Sequence, residues 1–366
     1  MPRLARHLYL RPYVKLSGKL HPGSSGMGLP NRYSRALVYP TERLVDLRLA
    51  RRSRRRTENN HDLPPPSWQW SLHTLTALPP SQYIQTFYLL ASAACLATAA
   101  LPSDARSLLA DYGARKAASS PPAKRDSALV ALVAALTSRG QVPHSWFTAF
   151  YTLSVCCSLF WAWQFLGSGV VLRGIAERQA GTGPSASLGQ TAAVWGMVLV
   201  QAGRRVYEHA VVIRASRSTM WWVHWVLGLG FYLFLSVAVW VEGSGKERWL
   251  LGGWKVAVAV PVFVFAWVNQ YRCHKHLAGL RKYSLPSDGL FSHLVCPHYA
   301  CECLLYFSLA VAGAPEGQWL NRTLLCATAF AVVNLGVTAA GTRKWYADKF
   351  GEEAVAKKWN MIPFVF

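Results

Sequence analysis

No Gly-x-Gly-x-x-Gly turn follows a strand-like stretch anywhere in the 366 residues and no P-loop is present, which excludes two common soluble phosphate-cradling modules. The first residues also lack the apolar core of a signal peptide. Acid is scarce: 17 Asp and Glu stand against 39 Lys and Arg, a formal charge of +22. In a soluble protein such an imbalance points to nucleic acid. Here the basic arm has neither interleaved stacking aromatics nor a recognisable nucleic-acid-binding fold, so that class of partner is set aside. The eight cysteines make no disulfide framework, because Cys95, Cys156, Cys157 and Cys326 fall inside apolar stretches and read as small buried hydrophobes.

What the chain has in abundance is apolar sequence, 52% of residues, arranged in long blocks rather than at helical or strand spacing. Blocks near 20 residues are what a hydrocarbon layer requires. Sixteen Trp and fifteen Tyr suit a chain with many membrane interfaces. Seven candidate spans run approximately 83–101, 146–172, 190–213, 220–241, 250–268, 297–314 and 319–340. The stretch 128–137 is apolar but too short to cross, so it lies at the interface or re-enters. The expected fold is an all-α integral membrane protein of about seven transmembrane helices with a cytosolic-side cofactor pocket.

Three regions follow: residues 1–78 as a disordered basic arm, 79–265 as the N-terminal membrane helices, and 266–366 as the C-terminal region. The arm carries fourteen Lys and Arg against four acids up to Asp62, including the run Arg51, Arg52, Arg54, Arg55, Arg56, which is too charged to pack. It reads as a solvated tail or a misplaced start of translation. Loop charge orients the spans. Six Lys and Arg between 102 and 145, Arg214 and Arg217, and Arg343, Lys344, Lys349, Lys357 and Lys358 in the tail share one side. The opposite loops hold Arg173, Arg178, Lys246 and Arg248, which places the C-terminus in the cytosol. An odd number of spans then sets the arm against the charge rule. The sequon Asn321-Arg322-Thr323 abuts the seventh span and is read as chance.

Ionisable side chains inside a span are costly, so each is a candidate for function. The third span carries Gln201, Arg204, Arg205, Tyr207 and Glu208, and its spacing sets Gln201, Arg204, Arg205 and Glu208 on one broad helical face. The bland alternative is a structural ion pair at a helix end. A second cluster, expected across the fifth loop and the start of the sixth helix, contains Gln270, His274, His276, Arg281, Lys282, His293, His298, Tyr299 and Glu302. Glu302 falls about one turn into the membrane and needs a partner there. The segment Cys296-Pro-His298-Tyr-Ala-Cys301-Glu-Cys303 does not have the spacing of paired zinc knuckles, so no metal is assigned.

The stretch Asn-Gln270-Tyr-Arg-Cys-His274-Lys-His-Leu-Ala-Gly-Leu-Arg281-Lys, then Val-Cys-Pro-His298-Tyr299-Ala-Cys-Glu302, then Lys-Trp-Tyr346 and the terminal Met-Ile-Pro363-Phe-Val-Phe366 resemble the steroid 5-alpha-reductase family. With Arg-Arg-Val-Tyr-Glu upstream, they are most similar to its polyprenol (polyprenal) reductase branch. The likeness is strongest over 266–366, moderate near 201–208 and absent before Tyr83. It implies a seven-helix endoplasmic reticulum enzyme whose cytosolic half binds NADPH and whose membrane half admits a lipid. Position by position it implies that Gln270, His274, Arg281, His298, Tyr299, Glu302, Arg343 and Tyr346 contact the cofactor, Glu302 at the nicotinamide amide and Arg281 at a phosphate. Many members carry a His three or four residues before the tail Tyr, where this chain has Arg343 and Thr342. Lys358-Trp359 replaces the family's Arg-Lys before the terminal motif.

Hydride adds readily to an alkene only when a conjugated carbonyl withdraws electrons, so an enal or enone is the expected substrate, with a proton donor at its oxygen. Tyr207 polarised by Glu208 is the expected catalytic pair, with Gln201, Arg204 and Arg205 toward the substrate. The reading is reduction of the alpha-isoprene double bond of a polyprenyl lipid for dolichol synthesis and protein glycosylation, with no obligate protein partner inferred. Alternatives are a steroid or enoyl-thioester reductase of the same fold, an isoprenylcysteine methyltransferase-like enzyme using S-adenosylmethionine, and a membrane scaffold.

Overall fold

The structure is a computed structural model that describes residues 78–110, 128–213, 218–243, 253–281 and 284–366. The basic arm before Leu78, together with Arg115, Lys116, Lys124, Arg125, Arg214, Arg217, Lys246, Arg248 and Lys282, lies outside the described residues.

The helices in chain order are α1 (Pro80–Ala99), α2 (Ser103–Ala110), α3 (Ala128–Ser138), α4 (Thr148–Leu166), α5 (Val170–Gln179), α6 (Leu188–Tyr207), α7 (Trp222–Val241), α8 (Gly253–Gly279), α9 (Pro297–Ala312), α10 (Arg322–Phe350) and α11 (Glu353–Ala356). Each of the seven expected apolar blocks contains a helix among the described residues. By length and apolarity, four helical stretches among the described residues suffice to cross a membrane: His144–Leu166, Trp222–Val241, Gly253–Gly279 and Arg322–Phe350. Helix α9, with 16 residues, is shorter than the roughly 20 a hydrocarbon layer asks for. Helix α6 ends on two buried arginines.

The expected boundaries need three corrections. Helix α8 runs on to Gly279, so Gln270, His274 and His276 stand on its last turns rather than in a loop. Helix α10 runs to Phe350 and takes Arg343, Lys344, Tyr346 and Lys349 out of the tail. Arg173 and Arg178 belong to the amphipathic helix α5. The chain is also not purely helical: β1 (Gln141–Pro143) pairs antiparallel with β2 (Thr219–Trp221), Val142 opposite Met220. That small sheet ties together the entries of α4 and α7.

Local chemistry explains the helix ends. Ser187 and Gln190 form a reciprocal capping box at the start of α6. Pro297 occupies the first turn of α9, where a missing N–H costs nothing. Asn321 caps α10 by accepting from Leu324 N at 2.9 Å and donates to Gly313 O at 3.1 Å, and it is buried. The sequon's amide is thus used inside the fold.

Side-chain bonds set the helix directions. Gln190, near the start of α6, donates to Ala312 O at 3.0 Å and Ala314 O at 2.8 Å at the end of α9, so α6 and α9 are antiparallel. Gln85 of α1 donates to Thr323 of α10 at 2.9 Å, which makes those two parallel. Lys255 gathers the carbonyls of Ala314, Pro315 and Gln318 at 2.6–3.1 Å beyond the end of α9. The core between the helices is built on Tyr88, Phe231, Leu235, Phe263, Leu305 and Phe330. At the other end of α9 the chain terminus is folded back: Val295 N donates to Trp359 O and Cys296 N to Asn360 O, at 2.8 and 2.9 Å. The residues entering α9, about two turns before Glu302, are therefore held by Trp359 and Asn360, which directly precede the terminal motif.

Candidate active site

The last turns of α6, the C-terminal part of α8 and the first turns of α9 meet at one end of the bundle, and each contributes polar side chains. Helix α6 supplies Gln201, Arg204 and Arg205, buried to 8% exposure, and continues as a π-helical segment, Glu208–Val212. The wider turn begins at Glu208, which is fully buried. Gln270, 1% exposed, and His274 come from α8, and Glu302 from α9.

Two linked networks result. In the first, Gln201 donates to Gln270 Oε1 at 2.9 Å and lies 3.4 Å from Glu302 Oε2. Gln270 Nε2 also donates to that carboxylate oxygen. Arg204 donates to Gln201 Oε1 at 2.8 Å, to Gln270 Oε1 and to the carbonyl of Trp267, with its guanidinium 4.9 Å from the Trp267 ring centre. Tyr306 completes this network by donating to Glu302 Oε1 at 2.7 Å. In the second, Glu208 Oε2 takes Arg205 and His274 Nδ1, the latter at 2.7 Å, while Arg204 Nε stands 3.3 Å from Oε1 as an ion pair without hydrogen-bond alignment. Arg205 also donates to Tyr151 at 2.9 Å and sits over its ring at 4.7 Å. Arg204, Arg205 and Glu208 are thus paired with opposite charge, the condition for keeping ions out of water, while Glu302 is held by neutral donors.

The expected residues do not all arrive at this centre. Tyr207 is 50% exposed, so the structure leaves it out of the cluster its neighbours form. Arg281 is exposed beyond the end of α8. Arg343 donates to Lys358 O, and Tyr346 is buried in a separate apolar cluster with Cys296, Cys303 and Met361. His298 lies beside His274, ring centres 5.6 Å apart, and 4.2 Å from the Tyr299 ring.

Three residues at the centre escaped the sequence reading: Tyr151, Tyr232 and Tyr306. Tyr306 stands four residues after Glu302, a spacing that puts both on one helix face and was available as a signal. Tyr151 and Tyr232 had none, since a Tyr in an apolar helix is ordinary. With Gln201 they border a cavity of about 10 Å³, room for a single water, whose other walls include Met197, Leu235, Phe263 and Leu305. A wider cavity of about 420 Å³ lies elsewhere, among Pro80, Ile84, Val171, Ile175, Arg178 and Phe234.

The donor set suits a nicotinamide cofactor better than the space does. Among the described residues the Nδ1 of His298 and the Nε atoms of Arg204 and Arg205 are buried without a hydrogen-bond partner, and Glu302 offers a carboxylate of the kind that accepts from a carboxamide. As the side chains stand, the cavity beside Gln201 has about 10 Å³, which is too small for a nicotinamide ring. No group of three or more His, Cys, Asp or Glu among the described residues is placed to hold a metal. None of the eight cysteines, all of them among the described residues, forms a disulfide.

Fold and centre together define a helical membrane protein with a polar site sunk at one end of its bundle. The family model of 3-oxo-5-alpha-steroid 4-dehydrogenase matches residues 211–366. The chain is 32% identical over 173 residues to a polyprenal reductase of Saccharomyces cerevisiae, covering 47% of this chain and 63% of that protein. It is 28% identical over 180 residues to a polyprenal reductase of Xenopus tropicalis, 44% of this chain and 57% of that one. Against a polyprenal reductase of Drosophila melanogaster it is 29% identical over 262 residues, 62% and 77% of the two chains. The match thus spans less than two thirds of the yeast and frog relatives. Over residues 211–366 the chain is thus similar to the steroid 5-alpha-reductase family.

Proposed function

We propose that this chain reduces the alpha-isoprene double bond of a long-chain polyprenal with NADPH, as a step of dolichol synthesis for protein glycosylation. The observation that carries the proposal is Glu302: a carboxylate on the first turns of α9, bonded by Gln270, Gln201 and Tyr306, in a chain whose relatives are polyprenal reductases. The enzyme sits as a multi-pass protein of the endoplasmic reticulum membrane, with its C-terminus in the cytosol. A lipid substrate suits this architecture, because the apolar tail stays in the bilayer while the polar head reaches the bundle end.

Bound NADPH would supply the hydride. Glu302 would accept from the nicotinamide carboxamide, with Gln270 and His298 beside it, and Arg281 and Arg343 would face the phosphates, since the sequence carries no Rossmann or P-loop motif. His274, Tyr299 and Tyr346 complete the proposed cofactor set, Tyr346 by packing under α9 rather than by touching the cofactor. Arg204 fastens α6 to α8 through Trp267 and Gln270, which holds Gln201 at the substrate side. Glu208 keeps Arg205 and His274 in place, so its part is positional.

The test is purified protein in detergent, given NADPH and either polyprenal or polyprenol, with product mass followed. A gain of two hydrogens on polyprenal is the expected result. The matching family model carries a steroid name, so a 3-oxo-4-ene steroid belongs in the same assay. Turnover of the steroid alone, or binding of S-adenosylmethionine in place of NADPH, would reject the proposal.

A further inference from the structure

A reductase of this kind has to protonate the oxygen on which enolate charge develops, and the half-exposed Tyr207 is not at the centre. Three other tyrosines are, on three different helices. Tyr306 already donates its hydroxyl proton to Glu302 at 2.7 Å. The Tyr232 oxygen is 3.5 Å from the Tyr306 oxygen, and among the described contacts no guanidinium donates to it. Tyr151 differs from both. Its oxygen accepts from Arg205 Nη2 at 2.9 Å, and because a guanidinium only donates, the phenol keeps its own proton for another acceptor. Among the described residues it has none, and its side chain borders the small cavity with Gln201, Tyr232 and Tyr306.

We infer that Tyr151 is the proton donor to the carbonyl oxygen of the substrate, with Arg205 as the counter-ion of the phenolate it becomes. The assignment rests on the reduction proposed above and deepens it. The hydride bonds to the β-carbon of the enal, the alkene pair shifts to the bond between α-carbon and carbonyl carbon, and the carbonyl pair moves onto oxygen. The Tyr151 O–H bond breaks as that oxygen takes the proton. Tautomerisation then returns the enol proton to Tyr151 while the α-carbon takes one from water, so the balance is one hydride from the cofactor and one proton from solvent. The charged and titratable groups facing Tyr151 are Arg205, Glu208 and His209 from α6 and its π-helical end, Tyr232 from α7 and Glu302 from α9, with His274 of α8 in contact with Arg205.

The test is Tyr151→Phe in full-length protein, read as kcat for polyprenal and KM for NADPH, beside protein carrying 3-fluorotyrosine at position 151. Loss of general acid catalysis typically costs about 10²–10⁴-fold in rate. That fall in kcat with KM for NADPH unchanged is the expected result, together with a basic limb of the pH profile that moves to lower pH in the fluorotyrosine protein, where the phenol is more acidic. A kcat for Tyr151→Phe within about threefold of wild type, an unmoved basic limb, or a larger loss in Tyr207→Phe than in Tyr151→Phe would overturn the assignment. Wild-type protein inactive on polyprenal would defeat the reduction itself, a separate outcome.

Discussion

The hydroxyl of Tyr306 donates to Glu302 Oε1 at 2.7 Å from one turn further along α9, while the other carboxylate oxygen is taken by Gln270 and Gln201 from two other helices. A single carboxylate thereby joins α6, α8 and α9. It is held by bonds to neutral donors, with Arg204 one residue removed through Gln270.

Replacing it tests the cofactor role. In Glu302→Gln one acceptor oxygen becomes a donor and the charge is lost, and hydrogen bonds to charged groups are worth about 1.5–3 kcal/mol. NADPH affinity measured by equilibrium binding should therefore fall roughly ten- to a hundredfold. An unchanged affinity would remove Glu302 from the cofactor site.

Glu208 has a different task. It is fully buried against Arg205, His274 and Arg204, and taking away one member of a buried ion pair strands the others at a cost of about 3–5 kcal/mol. Glu208→Gln should lower the thermal unfolding midpoint in detergent, and Arg205→Met combined with it should cost less than the two single changes added together. Additive losses would mean the groups are not coupled.

Gly228 on α7 is where that helix closes on α4. A Cβ built there would stand 2.5 Å from Cζ of Phe150, whose ring stacks near Tyr232 at 6.2 Å between centroids. Gly228→Ala should force the ring aside, with overpacking worth about 1–3 kcal/mol. Because Phe150 adjoins Tyr151 in sequence, turnover should drop along with stability. A variant as stable and active as wild type would show the helices free to separate.

Asn321 heads a sequon, yet its amide caps α10 and is 3% exposed. Asn321→Ala should destabilise the protein by about 1 kcal/mol, the usual worth of a helix cap. In a glycosylating host the mass of the wild-type chain should show no glycan at this site; a glycan found there would contradict the burial.

The part of the centre legible in sequence was the part that violates membrane economics. Gln201, Arg204, Arg205, Glu208 and Glu302 interrupt apolar blocks, and such interruptions persist only with partners, which the fold supplies. Gln270 and His274 were recognisable as residues but misjudged in setting, because their polar run resembles a loop until α9 is seen to cover it. Tyr207 and Tyr151 show the limit more sharply. Adjacent to Glu208 in sequence, Tyr207 looked like its partner, whereas on a helix neighbouring residues diverge by about 100° and Tyr207 is turned outward.

Composition and block length by themselves determined that this chain is helical, apolar and suited to a membrane, because runs of about 20 apolar residues leave a backbone few other ways to satisfy its hydrogen bonds. Ordered motifs in the last hundred residues carried the family likeness. Which side chains face one another was decided only in three dimensions. Tyr151, more than fifty positions from Arg205, reaches it because α4 packs on α6, and Glu302 meets Gln270 because α8 and α9 are antiparallel. Periodicity along one helix records which face is turned inward but carries no register between helices, and that register is what places a phenol beside a guanidinium.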